Sequence, residues 1–86
     1  MGYVPACVLL GHLYLDGVGV EKDRRKALEL LMLGKRHGVY GANYFLGEYY
    51  MQEGELHLAL KHFEAAVADG DDSAREQVDM LRAMLS

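Results

Sequence analysis

Cysteine, proline and tryptophan are almost missing from this chain of 86 residues. Cys7 is the single cysteine, Pro5 the single proline, and there is no tryptophan. One cysteine excludes an internal disulfide and leaves no partner for a Cys-x-x-Cys metal site. It fits a reducing compartment, so an intracellular, soluble protein is expected. Cys7 itself reads as a small buried hydrophobe. Long apolar runs are also lacking. The stretch VPACVLLGHLYL is too short to span a bilayer, which takes about 20 residues. It has no basic segment before it, as a signal peptide would. The opening MGYVPA approaches a myristoylation start, but Ala6 stands where Ser or Thr is wanted.

Basic side chains are scarce in one half. Residues 39–86 carry Lys61, Arg75 and Arg82 against nine acidic residues, whereas residues 1–38 carry six basic against four acidic. The formal net charge is −4. Phosphate neutralisation needs a basic surface, so nucleic acid is a poor partner. The cluster KDRRK (22–26) interleaves an acid and has no aromatic platform, and it reads as a solvated helix face.

Catalytic signatures are missing too. Gly17-Val18-Gly19 invites comparison with a phosphate-binding loop, but the third glycine of GxGxxG would fall on Lys22. The residues before Gly17 are helical in pattern and not strand-like. Gly17 instead suits a left-handed helix stop, and Asp23 suits the N-cap of a helix starting at Arg24. No Ser-His-Asp or Cys-His spacing occurs. His57 and His62 are five apart and do not share a helix face as metal ligands would. His37 falls at a helix C-terminus, where its charge suits the dipole. No catalytic, cofactor-binding or metal-binding residue is expected, and no enzyme activity.

What the chain does contain is a repeat. ACVLLGHLY (6–14) and ANYFLGEYY (42–50) both read Ala, three residues, Leu-Gly, two residues, Tyr. ALELLMLGKRHG (27–38) and ALKHFEAAVADG (59–70) both start on Ala-Leu and end on Gly. A third start appears in GDDSAREQV (70–78). Each unit is two helices. In the first helix, Ala6, Leu10 and Tyr14 form a stripe with Leu9 and Leu13 beside it. In the second, Ala27, Leu30, Leu31 and Gly34 form one stripe, and Ala59, Phe63, Ala66 and Val67 form the other. Gly11 and Gly47 lie mid-helix at the same register, where each costs about 1 kcal/mol relative to Ala. Their repetition predicts a close helix approach.

These residues resemble the Sel-one-like repeat, a relative of the tetratricopeptide repeat. Ala6, Leu10, Gly11, Tyr14, Gly17, Gly19, Val20, Asp23, Lys26, Ala27 and Gly38 follow its pattern in order. The second unit keeps Ala42, Leu46, Gly47, Tyr50, Ala59, Phe63, Ala65, Ala66 and Gly70 but lacks the Gly-x-Gly-Val insert. The resemblance implies an all-α fold, a right-handed α-α superhelix of about two and a half helix-turn-helix repeats with five helices. The expected organisation is a single domain, 1–86, with units 1–38 and 39–70 and a capping helix 71–86. It also implies a non-enzymatic adaptor or scaffold that binds a peptide or protein surface on its concave face. The ligand-facing positions of tetratricopeptide helices fall on Val8, His12, Leu15, Tyr44, Glu48, Met51, Glu76 and Met80. His12 and Glu48 occupy equivalent positions and are expected to be neighbours, in a hydrogen bond or in solvent rather than at a metal.

The alternative reading is a self-associating structural segment of a longer repeat protein. The final helix carries Met80, Leu81, Met84 and Leu85, and the chain opens on YVPACVLL. The oppositely charged halves favour head-to-tail contact in a homo-oligomer.

Overall fold

A computed structural model describes residues 4–86. Residues 1–3, where the expected first unit begins, lie outside the described residues. The elements in order are α1 (Val4–Asp16), α2 (Arg24–Arg36), α3 (Ala42–Gln52), α4 (Leu56–Ala68), a 3-10 turn (Asp72–Ala74) and α5 (Arg75–Leu85). No strand occurs among the described residues. The helices form a helical-repeat superhelix measuring 41 × 25 × 17 Å. Helix α1 packs chiefly on α2, and α3 chiefly on α4; α2 then meets α3, and α4 meets α5.

The two interhelix loops differ in length and close in the same way. In the first, the Asp23 amide donates to the Tyr14 carbonyl at 3.0 Å. In the second, the Glu55 amide donates to the Tyr50 carbonyl at 2.9 Å. The longer loop leaves α1 at Gly17, whose φ of +73° only glycine adopts without strain. Val18 is pushed into solvent, and Asp23 caps α2 by accepting the Lys26 amide at 3.0 Å. The phosphate-loop comparison therefore ends in a helix stop and a helix start. The links between units also repeat. Val39 donates to the Gly34 carbonyl and Asp71 to the Ala66 carbonyl, both at 2.9 Å.

The core follows this register. Cys7, Val8, Leu31, Ala42 and Leu46 form one buried cluster. Ala59, Phe63, Ala66, Ala74, Val78 and Leu81 form the next. Half-buried Tyr50 packs against both and joins the units. Gly47 is where α3 and α4 touch: a Cβ there would lie 2.8 Å from three Phe63 ring atoms. Gly11 meets Leu31 in the same way across α1 and α2.

Helix α1 departs from the expected stripe. Its buried face runs through Cys7, Val8, Gly11 and Leu15, while Leu9 is 60% and Leu10 38% exposed. Leu46, the motif equivalent of Leu10, is fully buried. The reason is that α1 is apolar almost all round, so periodicity does not choose its inner face. The side of α3 that meets α2 has no helix against it in α1 among the described residues.

One polar contact ties the two units together, and another braces α4 against α3 within the second unit. Arg24, read as solvated, clamps α2 to the end of α3. It bonds Glu53 Oε2 at 2.7 Å and Gln52 Oε1 at 2.6 Å, and it lies 4.8 Å over the Tyr49 ring. His62 is buried and stacks on Tyr50, with Nδ1 donating to Asn43 Oδ1 at 3.2 Å. Burial, then Lys35 and Lys61, lower the His62 pKa and keep the ring neutral.

Helix α5 presents a different face from α3. Asp79 and Arg82 stand where α3 has Gly47 and Tyr50. They line a groove of about 260 Å³ between α4 and α5 with Glu64, Val67, Arg75 and Val78. Arg82 bonds Glu64 across it at 2.7 Å.

Candidate binding groove

The first helices of the successive units, α1, α3 and α5, carry the candidate residues. Between α1 and α3 lies an open groove of about 330 Å³, lined by His12, Asp16, Glu48, Met51 and Gln52. His12 and Asp16 are one helical turn apart, so they meet at 3.3 Å between Nε2 and Oδ2. The His12 ring leans on Phe45 of α3, with centroids 4.5 Å apart. Glu48 faces both His12 and Asp16 from α3.

Tyr44, one turn before Glu48, is half-buried. Its ring stands edge-on to Phe45 and to Phe63, at 5.5 Å in each case. Its hydroxyl is 3.4 Å from Gln77 Nε2 of α5. Burial raises the Tyr44 pKa, and the carboxylates of Glu48, Asp71 and Glu76 raise it further. Acidic groups therefore continue from the groove toward α5, with Glu76 exposed and Asp71 buried.

Of the eight expected contact residues, the groove gathers His12, Glu48 and Met51, with Tyr44 and Glu76 alongside. Met80 is exposed on α5. Two of the eight are corrected. Val8 is 5% and Leu15 0% exposed, and both belong to the interior. Val8 fills the space that Gly34 leaves by lacking a side chain. Met51, equivalent to Leu15, is half-buried against the second core cluster. The sequence reasoning missed Asp16, Gln52, Phe45 and Gln77. Asp16 was legible as the i+4 neighbour of His12. The others emerge only when α1, α3 and α5 are placed side by side.

Glu48 is held in an unfavourable state. Its pKa is raised, first by partial burial of the carboxylate and also by Asp16, with His12 and Tyr44 acting in the opposite direction. A raised folded-state pKa gives stability below the ordinary value of 4.5, and this is lost as pH rises through the folded value. At neutral pH the Glu48 charge therefore works against folding. Glu48→Gln is expected to raise the melting midpoint at pH 7, with the gain shrinking toward pH 4. Thermal melts of both proteins across that interval check this.

Among the described residues no group of three or more His, Cys, Asp or Glu is placed to hold a metal ion. No helix there is long and apolar enough to cross a membrane.

Paired helices that touch at a glycine, repeat in register and leave a groove on one side define an α-hairpin repeat protein of the tetratricopeptide-like kind. The Sel1 repeat family model matches residues 4–38 and again 41–71. The chain belongs to the Sel1 repeat family. No curated protein and no solved structure matches the chain. Sel1 repeats are generally protein-interaction modules and generally non-enzymatic.

Proposed function

We propose that this chain is a non-enzymatic adaptor that holds a segment of a protein partner along the α1–α3–α5 side. One observation carries the reading: the groove between consecutive units keeps a half-buried carboxylate, Glu48, with no Lys or Arg within ion-pair distance among the described residues. Polar groups kept against stability in an open groove are typical of surfaces selected for binding. The mixed lining, with Met51 beside Asp16, Glu48 and Gln52, suits an extended or short amphipathic peptide.

The test selects binders from a displayed library of natural protein segments and measures their affinity in solution. Gln52 is exposed at the groove. Gln52→Trp, which fills the groove, is expected to weaken the selected peptides at least about tenfold, equivalent to 1.4 kcal/mol. Lys61→Trp on α4 is expected to leave them unchanged. Equal effects of the two variants overturn the groove.

A second reading, self-association, is favoured by the exposed pair Leu9 and Leu10 on α1, because large exposed apolar residues mark contact surfaces. On α5, Met80 and Met84 are exposed, but Leu81 is fully buried and unavailable. Sedimentation velocity is expected to show concentration-dependent dimers that Leu9→Glu abolishes. A clean monomer at high concentration removes this reading.

A further inference from the structure

We infer that the segment held in the groove is cationic, an extended stretch bearing Lys or Arg side chains. This rests on the groove being the binding surface.

The first argument is charge complementarity. Asp16 and Glu48 line the groove, and the exposed Glu76 continues the acidic surface past Tyr44. The charged groups acting on Glu48 and Tyr44 are all carboxylates except His12, which is itself bonded to Asp16. The arginines nearest these helices are engaged elsewhere: Arg24 with Glu53, Arg75 with Asp72 and Arg82 with Glu64. Arg24 reaches the groove only by bonding the Gln52 carbonyl oxygen. Among the described residues, neither Glu48 nor Glu76 has a Lys or Arg within ion-pair distance.

The second argument is hydrogen-bond inventory. Gln77 Oε1, on the amide that reaches Tyr44, is buried and accepts no hydrogen bond. The acceptors open to a ligand are the carboxylates of Asp16 and Glu48, and no Lys or Arg side chain lines the groove with them. Lys brings three donors and Arg five, with no acceptor on either. Their hydrogen bonds to carboxylates are roughly twice as strong as neutral ones. Met51 and the His12–Phe45 pair supply apolar surface for the aliphatic stem of such a side chain.

The experiment uses labelled peptides with one Ala/Leu framework and Lys/Arg, Gln or Glu at alternate positions. Fluorescence anisotropy measures their binding to the full chain, and circular dichroism verifies the fold of each variant. The Lys/Arg probe is expected to bind at least about tenfold tighter than the Gln probe. Asp16→Asn with Glu48→Gln is expected to lose about tenfold for the Lys/Arg probe. Glu21→Gln with Glu29→Gln alters net charge equally at exposed positions outside the groove lining. It is expected to change affinity by less than about twofold. Equal loss in both variants means general attraction to an acidic protein and overturns the inference. So does a Gln or Glu probe that binds as tightly as the Lys/Arg probe. If Gln52→Trp blocks that probe, the groove stands and only the cationic class falls. Failure of all three probes also overturns the inference, and the library-selected peptides then decide the groove separately.

Discussion

Phe63→Ala is expected to remove about 3–5 kcal/mol of folding stability, the usual cost of truncating a fully buried phenylalanine. Phe63 heads the largest fully buried side chains and has no exposure. Its ring lies against Gly47 of α3 and stands edge-on to Tyr44. It belongs to the cluster that also holds Ala74, Val78 and Leu81, so one side chain joins α3, α4 and α5. A domain this small has few other large side chains to take its place. Each kcal/mol is worth about 4–8 °C in a chain of this size. The melting midpoint should therefore fall by more than about 10 °C, checked by urea and thermal unfolding. A loss below about 1 kcal/mol would mean that Phe63 does not anchor the second unit.

Gly47→Ala is expected to destabilise as well, against intrinsic helix preference. Ala is favoured over Gly in a helix by about 1 kcal/mol. The new methyl would lie 2.8 Å from three atoms of the Phe63 ring, a rigid plane packed in the core. Overpacking of this kind costs about 1–3 kcal/mol, and the net result is a loss. Gly11→Ala is expected to cost less. Its nearest neighbours, Leu31 Cγ at 3.0 Å and the Ala27 carbonyl oxygen at 3.2 Å, leave more room than the Phe63 ring leaves at Gly47. Combining Gly47→Ala with Phe63→Leu should recover part of the loss, and a double-mutant cycle by urea unfolding measures that coupling. A Gly47→Ala variant more stable than the parent would contradict the close approach.

Much of this architecture was legible in the residues because the repeat supplies its own comparison. Gly11 and Gly47 recur at a register where glycine is costly, and both lie where two helices touch. Gly17 and Asp23 mark a helix end and a helix start by local chemistry alone. The face of α1 was not legible, because a helix apolar on every side has no preferred inside until its neighbours are present. The ligand-facing positions carried over from tetratricopeptide helices placed Val8 and Leu15 on the groove side, and both are interior. Arg24 was misread for a related reason. Nothing local to KDRRK reveals Glu53, Gln52 and Tyr49, which lie in the next unit and hold the guanidinium in place. The groove was partly legible: His12 and Glu48 were expected to be neighbours, whereas the line from Tyr44 to Gln77 depends on how α5 follows α3.

The most direct measurement is an amide correlation spectrum of the isotope-labelled chain, titrated with a peptide selected from the library. Binding on the α1–α3–α5 side predicts shifts confined to residues around His12–Asp16, Tyr44–Gln52 and Glu76–Met80. Shifts centred on the outer faces of α2 and α4, with those three segments undisturbed, would contradict the account.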